Sequence, residues 1–365
     1  MFRYTKDICR LCGLQHDPFH KVTLNDDRIC SLCANPLPGT ATGDWPTLEH
    51  AFSTRIERAR GARPYDGLLM LSGGKDSAYL SDMLKNKYRL NILGLVIDIG
   101  YEYPETFANA RALAERIDIP YEIFRQDDEI MRRYYRFLFT EQAIVQPDGG
   151  QVCLFCGRFL IHTACDFARR LGIPMVFSGH NPDQIFLMGE SIHQTPEQEI
   201  LVDFLMETLN EETEKALRLW RRWHGEPELP LFPDSLHVDG VELLFPFQYF
   251  PYRPEVMIKQ ARERLNWQPI KRFSKTYIAS GCRLVKLWAF MAFLNKTNSY
   301  VDFEFCNQIR GGSLSPDTAR QFYEQAEIDF EELAELIREL DMVEAMKEIL
   351  SPYGDRAETL VRMLA

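Results

Sequence analysis

The segment that most constrains the fold is Ser72-Gly73-Gly74-Lys75-Asp76-Ser77, which lies between an apolar run and a helical pattern. The apolar residues 67–71 predict a buried strand, and residues 78–85 predict a helix. Adjacent glycines let a backbone approach phosphate oxygens closely, and a helix start offers unpaired N–H groups and the positive end of its dipole. Lys75 adds a cation beside two serine hydroxyl groups. We therefore predict a phosphate-binding loop at residues 72–77, which differs from a Walker loop because its glycines are adjacent.

The pattern on either side of this loop predicts an α/β domain. Further apolar runs typical of buried strands lie at residues 93–99, 121–124 and 175–178. Helical patterns precede or separate these runs, at residues 48–60, 105–117 and 159–171. Strands that alternate with helices predict a parallel sheet that is covered by helices on both faces.

Three domains are predicted along the chain. Residues 1–45 are rich in cysteine and polar residues, residues 46–195 hold the α/β pattern, and residues 196–365 are mainly helical. In the last domain, apolar residues at helical spacing over positions 330–343 predict one acidic helix. No signal segment is visible, and the apolar stretch 284–294 is too short to cross a bilayer. We expect a cytoplasmic protein without a membrane partner.

Polar residues follow two of the predicted strands. Asp98 ends the second strand, and Gly179-His180-Asn181-Pro182-Asp183 follows the strand that ends near Ser178. In open parallel sheets, ligands bind beyond the carboxyl ends of the strands. We therefore expect Asp98, Gly179 and His180 to face a ligand, and Asp183 to hold a metal or orient the substrate. The alternatives are ordinary turn capping by Asp98 and capping of a helix by Asp183.

The loop sequence SGGKDS resembles the PP-loop of the N-type ATP pyrophosphatase superfamily, and the likeness covers roughly residues 64–190. It implies an adenine nucleotide alpha hydrolase-like (HUP, Rossmann-like) domain that cleaves ATP to AMP and pyrophosphate. Members adenylate a carbonyl or amide oxygen, and a nitrogen or sulfur nucleophile then displaces AMP. The resemblance implies that residues 72–77 hold the pyrophosphate, with Lys75 and Asp76 as catalytic residues. It also implies Mg²⁺ near Asp76 and Asp183, and adenosine near Asp98.

Two Cys-x-x-Cys pairs lie near the N-terminus with seventeen residues between them. This spacing is typical of Zn²⁺ sites with four thiolate ligands, and a reducing compartment makes disulfides a poor alternative. Bound zinc would supply the folding free energy that a short polar module lacks. The predicted ligands are Cys9, Cys12, Cys30 and Cys33. His16 and His20 are alternative ligands.

A third pair, Cys153 and Cys156, has Gly-rich flanks that predict a loop ahead of a helix. Together with Cys282, which precedes another predicted helix, the pair offers three thiolates for a [4Fe–4S] cluster with one open iron. The alternatives are a structural or persulfide-carrying pair, and three inert buried thiols. Cys165 and Cys306 fall in apolar segments and are predicted to lie in the core.

Two families of the superfamily are similar to different parts of the chain. The scaffold looks like the N-acetyl sugar amidotransferases, through the paired N-terminal cysteines, Tyr65-Asp66 and Tyr249-Phe250-Pro251-Tyr252. The segments Cys153-Leu154-Phe155-Cys156 and Gly179-His180-Asn181 are instead similar to the iron–sulfur tRNA thiolation enzymes. The second resemblance implies sulfur transfer, which we favour because residues near the chemistry outweigh the scaffold. The first implies ammonia from a partner glutaminase as the alternative.

The charge distribution bears on the acceptor. The net charge of −11 does not favour a nucleic acid, although residues 253–286 are rich in Lys and Arg. We therefore expect thiolation of a small acceptor, such as a nucleoside-like molecule, with sulfur from a separate donor. Transfer of nitrogen to an N-acetyl sugar and thiolation of tRNA are the alternatives, with tRNA disfavoured. The sequence is compatible with either a monomer or a homodimer.

Overall fold

The computed structural model describes residues 8–34, 44–61, 64–187, 196–272, 281–325 and 327–365. Side chains are described in these ranges except at 183, 186–187, 196–207 and 325. The strands are β1 Gly67–Met70, β2 Ile92–Asp98, β3 Tyr121–Arg125, β4 Met175–Phe177 and β5 Glu242–Leu244. The helices are α1 Ser31–Ala34, α2 Trp45–Glu57, α3 Lys75–Asp82, α4 Pro104–Ile117, α5 Asp128–Thr140, α6 Gly150–Leu171, α7 Pro182–Leu187, α8 Pro196–His224, α9 Pro254–Leu265, α10 Leu284–Asn295, α11 Tyr300–Arg310, α12 Pro316–Gln325, α13 Phe330–Glu339, α14 Val343–Leu350 and α15 Glu358–Leu364.

The chain divides into two compact units, each made of separate stretches. The sheet unit contains Thr42–Gln126 and Leu154–Gln268. The helical unit contains Met1–Ala41, Asp127–Cys153 and Pro269–Ala365. Within the described residues, no helix is both long and apolar enough to cross a membrane.

The sheet unit is built on five parallel strands in the order β3-β2-β1-β4-β5. In the register, Leu68 of β1 pairs with Leu93 of β2 on one side and with Val176 of β4 on the other. These central strands are aliphatic and almost fully buried, as expected when helices cover both faces of a sheet. The predicted fold class, a Rossmann-like α/β domain with a parallel sheet, is confirmed.

The strand predicted before the phosphate loop and the helix predicted after it are both present. β1 ends at Met70, and α3 begins at Lys75 and continues as a π-helical turn over Met83–Lys87. Cys165 lies in the core between α6 and the sheet with no exposed surface, as predicted, and burial raises its pKa to about 12.

The helical unit packs around α10, which is buried along almost its whole length. Its one cation, Lys286, is 4% exposed and pairs with Glu332 and Asp329. Arg283, which precedes α10, pairs with Glu339 at 2.8 Å. The acidic surface of α13 thus neutralises two cations of the stretch 253–286 that is rich in Lys and Arg.

Two local predictions were wrong. The predicted helix over residues 330–343 is two helices, α13 and α14, because Asp341 takes a left-handed conformation with φ of 51°. The pair Cys153 and Cys156 lies inside α6 and not in a loop. The Gly-rich flank starts the helix, because the Asp148 side chain accepts a hydrogen bond from the Gly150 N–H at 3.1 Å.

Candidate nucleotide site and cysteine centres

The loop at residues 72–77 connects the end of β1 to the start of α3, as predicted. Gly73 has φ of 68°, and a Cβ there would lie 2.1 Å from the backbone oxygen of Thr106, so only glycine fits. Gly74 caps α3 in an extended conformation without a side-chain hydrogen bond. The first N–H groups of α3 are therefore directed into the loop without a capping side chain, which is the geometry of an anion site.

The charged side chains of the loop lie against each other. Lys75 Nζ donates to Asp76 Oδ2 at 2.8 Å, and its side chain is 8% exposed. The Ser72 hydroxyl donates to Ser77 Oγ, and the Ser77 hydroxyl lies 3.2 Å from the Gly74 carbonyl oxygen. A bound phosphate would have to compete with Asp76 for the Lys75 ammonium group.

Two aromatic residues from a distant part of the sheet unit also hold this loop. The Tyr252 hydroxyl donates to Asp76 Oδ1 at 2.9 Å, and Trp267 Nε1 donates to the Gly73 carbonyl oxygen at 2.9 Å. The sequence did not predict either contact, although the segment that contains Tyr252 was noted for its resemblance to amidotransferases. Since 176 residues separate Tyr252 from Asp76, only the aromatic residues with polar tips could have been a signal.

The segment after β4 lies beside the loop, as the prediction requires. A Cβ on Gly179 would be 3.3 Å from the Ser77 nitrogen, so the two backbones approach closely. His180 Nδ1 lies 2.6 Å from the Ser178 hydroxyl. Burial lowers the pKa of His180 to about 4, although the nearby negative charge of Asp76 acts in the opposite direction. At neutral pH His180 is therefore an uncharged imidazole next to Asp76.

Of the two other predicted carboxylates, the structure describes the side chain of Asp98 and only the backbone of Asp183. Asp98 ends β2 and is buried; its Oδ2 accepts from Arg125 at 2.7 Å, and its Oδ1 accepts from the Gly100 N–H at 2.8 Å. It therefore caps a turn, and its contact with adenosine stays a prediction. Asp183 lies in α7, with a side chain outside the described residues. The cap of α7 is Asn181, so the alternative of an Asp183 cap was wrong.

The four N-terminal cysteines converge, with all their sulfur atoms within 4.8 Å of one another. Cys12 Sγ and Cys30 Sγ are 3.7 Å apart, and tetrahedral Zn–S bonds of about 2.3 Å would put sulfurs about 3.8 Å apart. The backbone N–H of Cys30 donates to Cys9 Sγ, and that of Cys33 donates to Cys30 Sγ. These donors stabilise thiolates, so the residues present fit a zinc ion.

Among the described residues, the two histidines predicted as alternative zinc ligands are not part of the four-cysteine group. His16 is exposed, and His20 Nδ1 lies 2.7 Å from Asp17 Oδ2 while its Nε2 lies 3.5 Å from Asp148 Oδ2. Burial alone would lower the pKa of His20, but the carboxylates of Asp148 and Asp17 raise it to about 9. Cys306 is fully buried, as predicted, and its thiol contacts Cys12 and Cys30.

The third cysteine pair lies at the start of a long helix. Cys153 and Cys156 are three residues apart in α6, and residues at this spacing lie on the same helix face. Cys153 is in the first turn of α6, and Cys156 lies one turn further along. Cys282 is half-buried just ahead of α10. A common cluster held by Cys153, Cys156 and Cys282 stays a prediction.

Known proteins resemble this chain in sequence over about half its length. The tRNA 2-thiolation protein NcsA of Haloferax volcanii is 30% identical over 191 residues, which cover 48% of this chain and 53% of that protein. The cytoplasmic tRNA 2-thiolation protein 1 of Saccharomyces cerevisiae is 33% identical over 187 residues, which cover 49% and 47%. The chain is therefore similar to members of the PP-loop ATP pyrophosphatase superfamily. It spans about half the length of these curated relatives.

The chain was also compared with protein-family models and with solved structures. No protein-family model matches the chain. Among solved structures, the U34-tRNA thiolase NcsA from Methanococcus maripaludis with its [4Fe-4S] cluster aligns with 84% of this chain and 87% of its own, at 15% identity and a TM-score of 0.36. The likeness to the PP-loop superfamily is carried by the sequence relatives, the loop SGGKDS and the parallel sheet.

Proposed function

We propose that the chain is an ATP-dependent sulfurtransferase that replaces a base carbonyl oxygen of tRNA with sulfur. The observation that carries this proposal is the sequence similarity to two tRNA 2-thiolation proteins. It favours tRNA over the small acceptor that the net charge led us to expect. The geometry of the loop at residues 72–77 supports the ATP-dependent step.

The proposed reaction has two bond exchanges. A base oxygen attacks the α-phosphorus of ATP, the bond from that phosphorus to the bridging oxygen breaks, and pyrophosphate leaves. Lys75 and the N–H groups at the start of α3 stabilise the negative charge of the leaving group. A sulfur nucleophile at the oxidation level of sulfide then bonds to the activated carbon, the C–O bond breaks, and AMP leaves.

Asp76 and His180 are proposed to act at the nucleotide. The Asp76 carboxylate is the described group that could hold the Mg²⁺ that accompanies ATP, since carboxylate oxygens suit this ion. His180 is uncharged at neutral pH and can therefore donate a hydrogen bond to a phosphate or base without adding charge. Asp183 and Asp98 remain proposed partners of the metal and of adenosine.

The cysteines are proposed to form two separate centres. Cys9, Cys12, Cys30 and Cys33 would hold a structural zinc ion. Cys153, Cys156 and Cys282 would hold a [4Fe–4S] cluster, and the same-face spacing of the first two in α6 supports this. Such a cluster, when bound, would leave one iron without a thiolate, where sulfide can bind.

A cationic helix in the sheet unit offers a surface for RNA. α9 packs against α3, the helix that follows the phosphate loop. It exposes Lys259 and Arg262, preceded by the exposed Arg253; Arg264 is also exposed but pairs with Asp82 at 3.0 Å. The basic residues Arg283 and Lys286 are likewise neutralised, by α13. Cations on α9 can therefore contact phosphates although the whole chain is acidic.

The test is a thiolation assay with anaerobically purified protein, ATP, Mg²⁺, sulfide and unmodified tRNA. We expect AMP and pyrophosphate in step with a sulfur-containing nucleoside detected by mass spectrometry after digestion. Arg262→Glu should weaken tRNA binding and reduce its salt dependence, by about one unit of slope for each lost phosphate contact.

Two results would overturn the proposal, and a third would overturn the role of one cysteine. Pyrophosphate release with an N-acetyl sugar and ammonium, but not with tRNA and sulfide, would select nitrogen transfer. Thiolation of a free nucleoside with no tRNA binding at low salt would select a small acceptor. Full activity of Cys282→Ser would remove this cysteine from the sulfur-transfer step.

A further inference from the structure

We propose that Tyr252 is a positioning residue of the phosphate loop. Its hydroxyl holds the Asp76 carboxylate in place when the Lys75 ammonium group moves from Asp76 to a bound phosphate. The proposal rests on the proposed function only in taking residues 72–77 as the nucleotide site. It does not depend on the acceptor or on the choice between sulfur and nitrogen.

The two partners of Asp76 bind different oxygens of its carboxylate. Lys75 donates to Oδ2 at 2.8 Å, and Tyr252 donates to Oδ1 at 2.9 Å. A nucleotide phosphate in the loop would attract the Lys75 ammonium and leave Asp76 facing other negative charges. A carboxylate that has lost its cation is then repelled by the phosphate. The charge-assisted hydrogen bond from Tyr252 opposes this displacement, because it holds the carboxylate in one orientation.

Tyr252 is itself held rigidly. It is 9% exposed and packs with Phe247 and Met257 in a small apolar cluster, with Tyr79 of α3 against the same cluster. The rings of Tyr252 and Phe247 meet edge to face, with centroids 5.3 Å apart. Lys75 Nζ lies 5.7 Å from the centroid of the Tyr252 ring, so the ring also faces the cation. The hydroxyl therefore has a fixed position from which to orient Asp76.

The position of Asp76 matters because this carboxylate is the group proposed to meet Mg²⁺. Octahedral Mg²⁺ tolerates little error in ligand position. Loss of the Tyr252 hydroxyl should therefore affect binding of the nucleotide most strongly where binding depends on Mg²⁺. If Tyr252 had only a structural role, loss of its hydroxyl would lower the stability of the fold without changing the Mg²⁺ dependence of nucleotide binding.

The experiment compares Tyr252→Phe with Tyr249→Phe. Tyr249 is a matched control, because it is also buried in the sheet unit and its hydroxyl bonds to Arg55, away from the loop. ATP binding is measured by calorimetry over a series of Mg²⁺ concentrations, and thermal unfolding checks that both variants fold. We expect Tyr252→Phe to weaken ATP binding about tenfold at limiting Mg²⁺, which corresponds to about 1.4 kcal/mol, and less at saturating Mg²⁺. Tyr249→Phe should bind within about twofold of the wild type.

Failure of this inference and failure of the proposed function give different results. Wild-type protein that binds no ATP at any Mg²⁺ concentration would refute both. Wild-type binding with an unchanged Mg²⁺ dependence in Tyr252→Phe would refute the positioning role alone. An equal loss in both tyrosine variants would also refute it, because the effect would then be one of stability.

Discussion

Replacement of Gly73 by alanine tests the geometry of the phosphate loop directly. Alanine at φ of 68° costs about 1 kcal/mol, because L-residues are disfavoured in the left-handed region. Its Cβ would also lie 2.1 Å from the Thr106 backbone oxygen, so the loop or the start of α4 must move by almost 1 Å. Forced movement of packed backbone costs about 1–3 kcal/mol more.

Gly172→Ala is the matched control for this variant. Gly172 lies in the same unit with φ of 69°, and no atom of the described residues lies within 4 Å of the position that its added methyl group would take. Urea unfolding should therefore give a loss of about 1 kcal/mol for Gly172→Ala and about 2–4 kcal/mol for Gly73→Ala. ATP affinity should fall at least about tenfold in Gly73→Ala alone, measured by calorimetry. Equal losses of stability in the two variants, with ATP binding retained, would refute the close approach to Thr106.

Three further predictions concern titration and metal binding. The raised pKa of His20, about 9, means that its ion pairs stabilise the fold fully below pH 6.5 and are lost as pH rises through 9. Urea unfolding from pH 6 to 10 should therefore show a loss in the wild type that is absent in His20→Gln. His180, with a pKa of about 4, should show no change of its NMR ring signals between pH 5.5 and 8, and a transition near pH 6.5 would contradict this lowered pKa. Cys30→Ser should lose zinc and stability, whereas Cys306→Ser should keep its zinc because four ligands remain; metal analysis of both purified variants decides this.

The sequence allowed the sheet and the phosphate loop to be predicted because their signals are local. The apolar run of β1, the two glycines and the start of α3 are contiguous, so their arrangement follows from short-range geometry. The convergence of the four N-terminal cysteines was predictable for a similar reason, since the two Cys-x-x-Cys pairs are close in sequence. Contacts such as Tyr252 with Asp76 depend on the path of the chain through the whole sheet unit, and no local pattern encodes them.

The errors have equally specific causes. Asp148 and the two glycines after it were interpreted as a loop, whereas the Asp148 carboxylate accepts from the N–H of Gly150, the first residue of α6. Residues 253–286 were noted only for their many Lys and Arg residues, whereas Lys286 is buried in an ion pair with α13. In both cases a charged side chain binds a specific partner, the Gly150 N–H for Asp148 and Glu332 for Lys286, which the residue composition of the segment does not show.

The pair formed by Lys75 and Asp76 has a consequence for selectivity among anions. Because the ammonium group already has a carboxylate partner at 2.8 Å, the side chains of the loop present little net positive charge to the solvent. Small abundant anions such as chloride or sulfate gain little by entering, since they would have to separate this pair and cannot compensate with contacts elsewhere. A bound nucleotide would compensate for this separation, because its base and ribose would make contacts outside the loop. Nucleotide affinity should therefore change only weakly with ionic strength, unlike the affinity of a site that depends on an unpaired lysine.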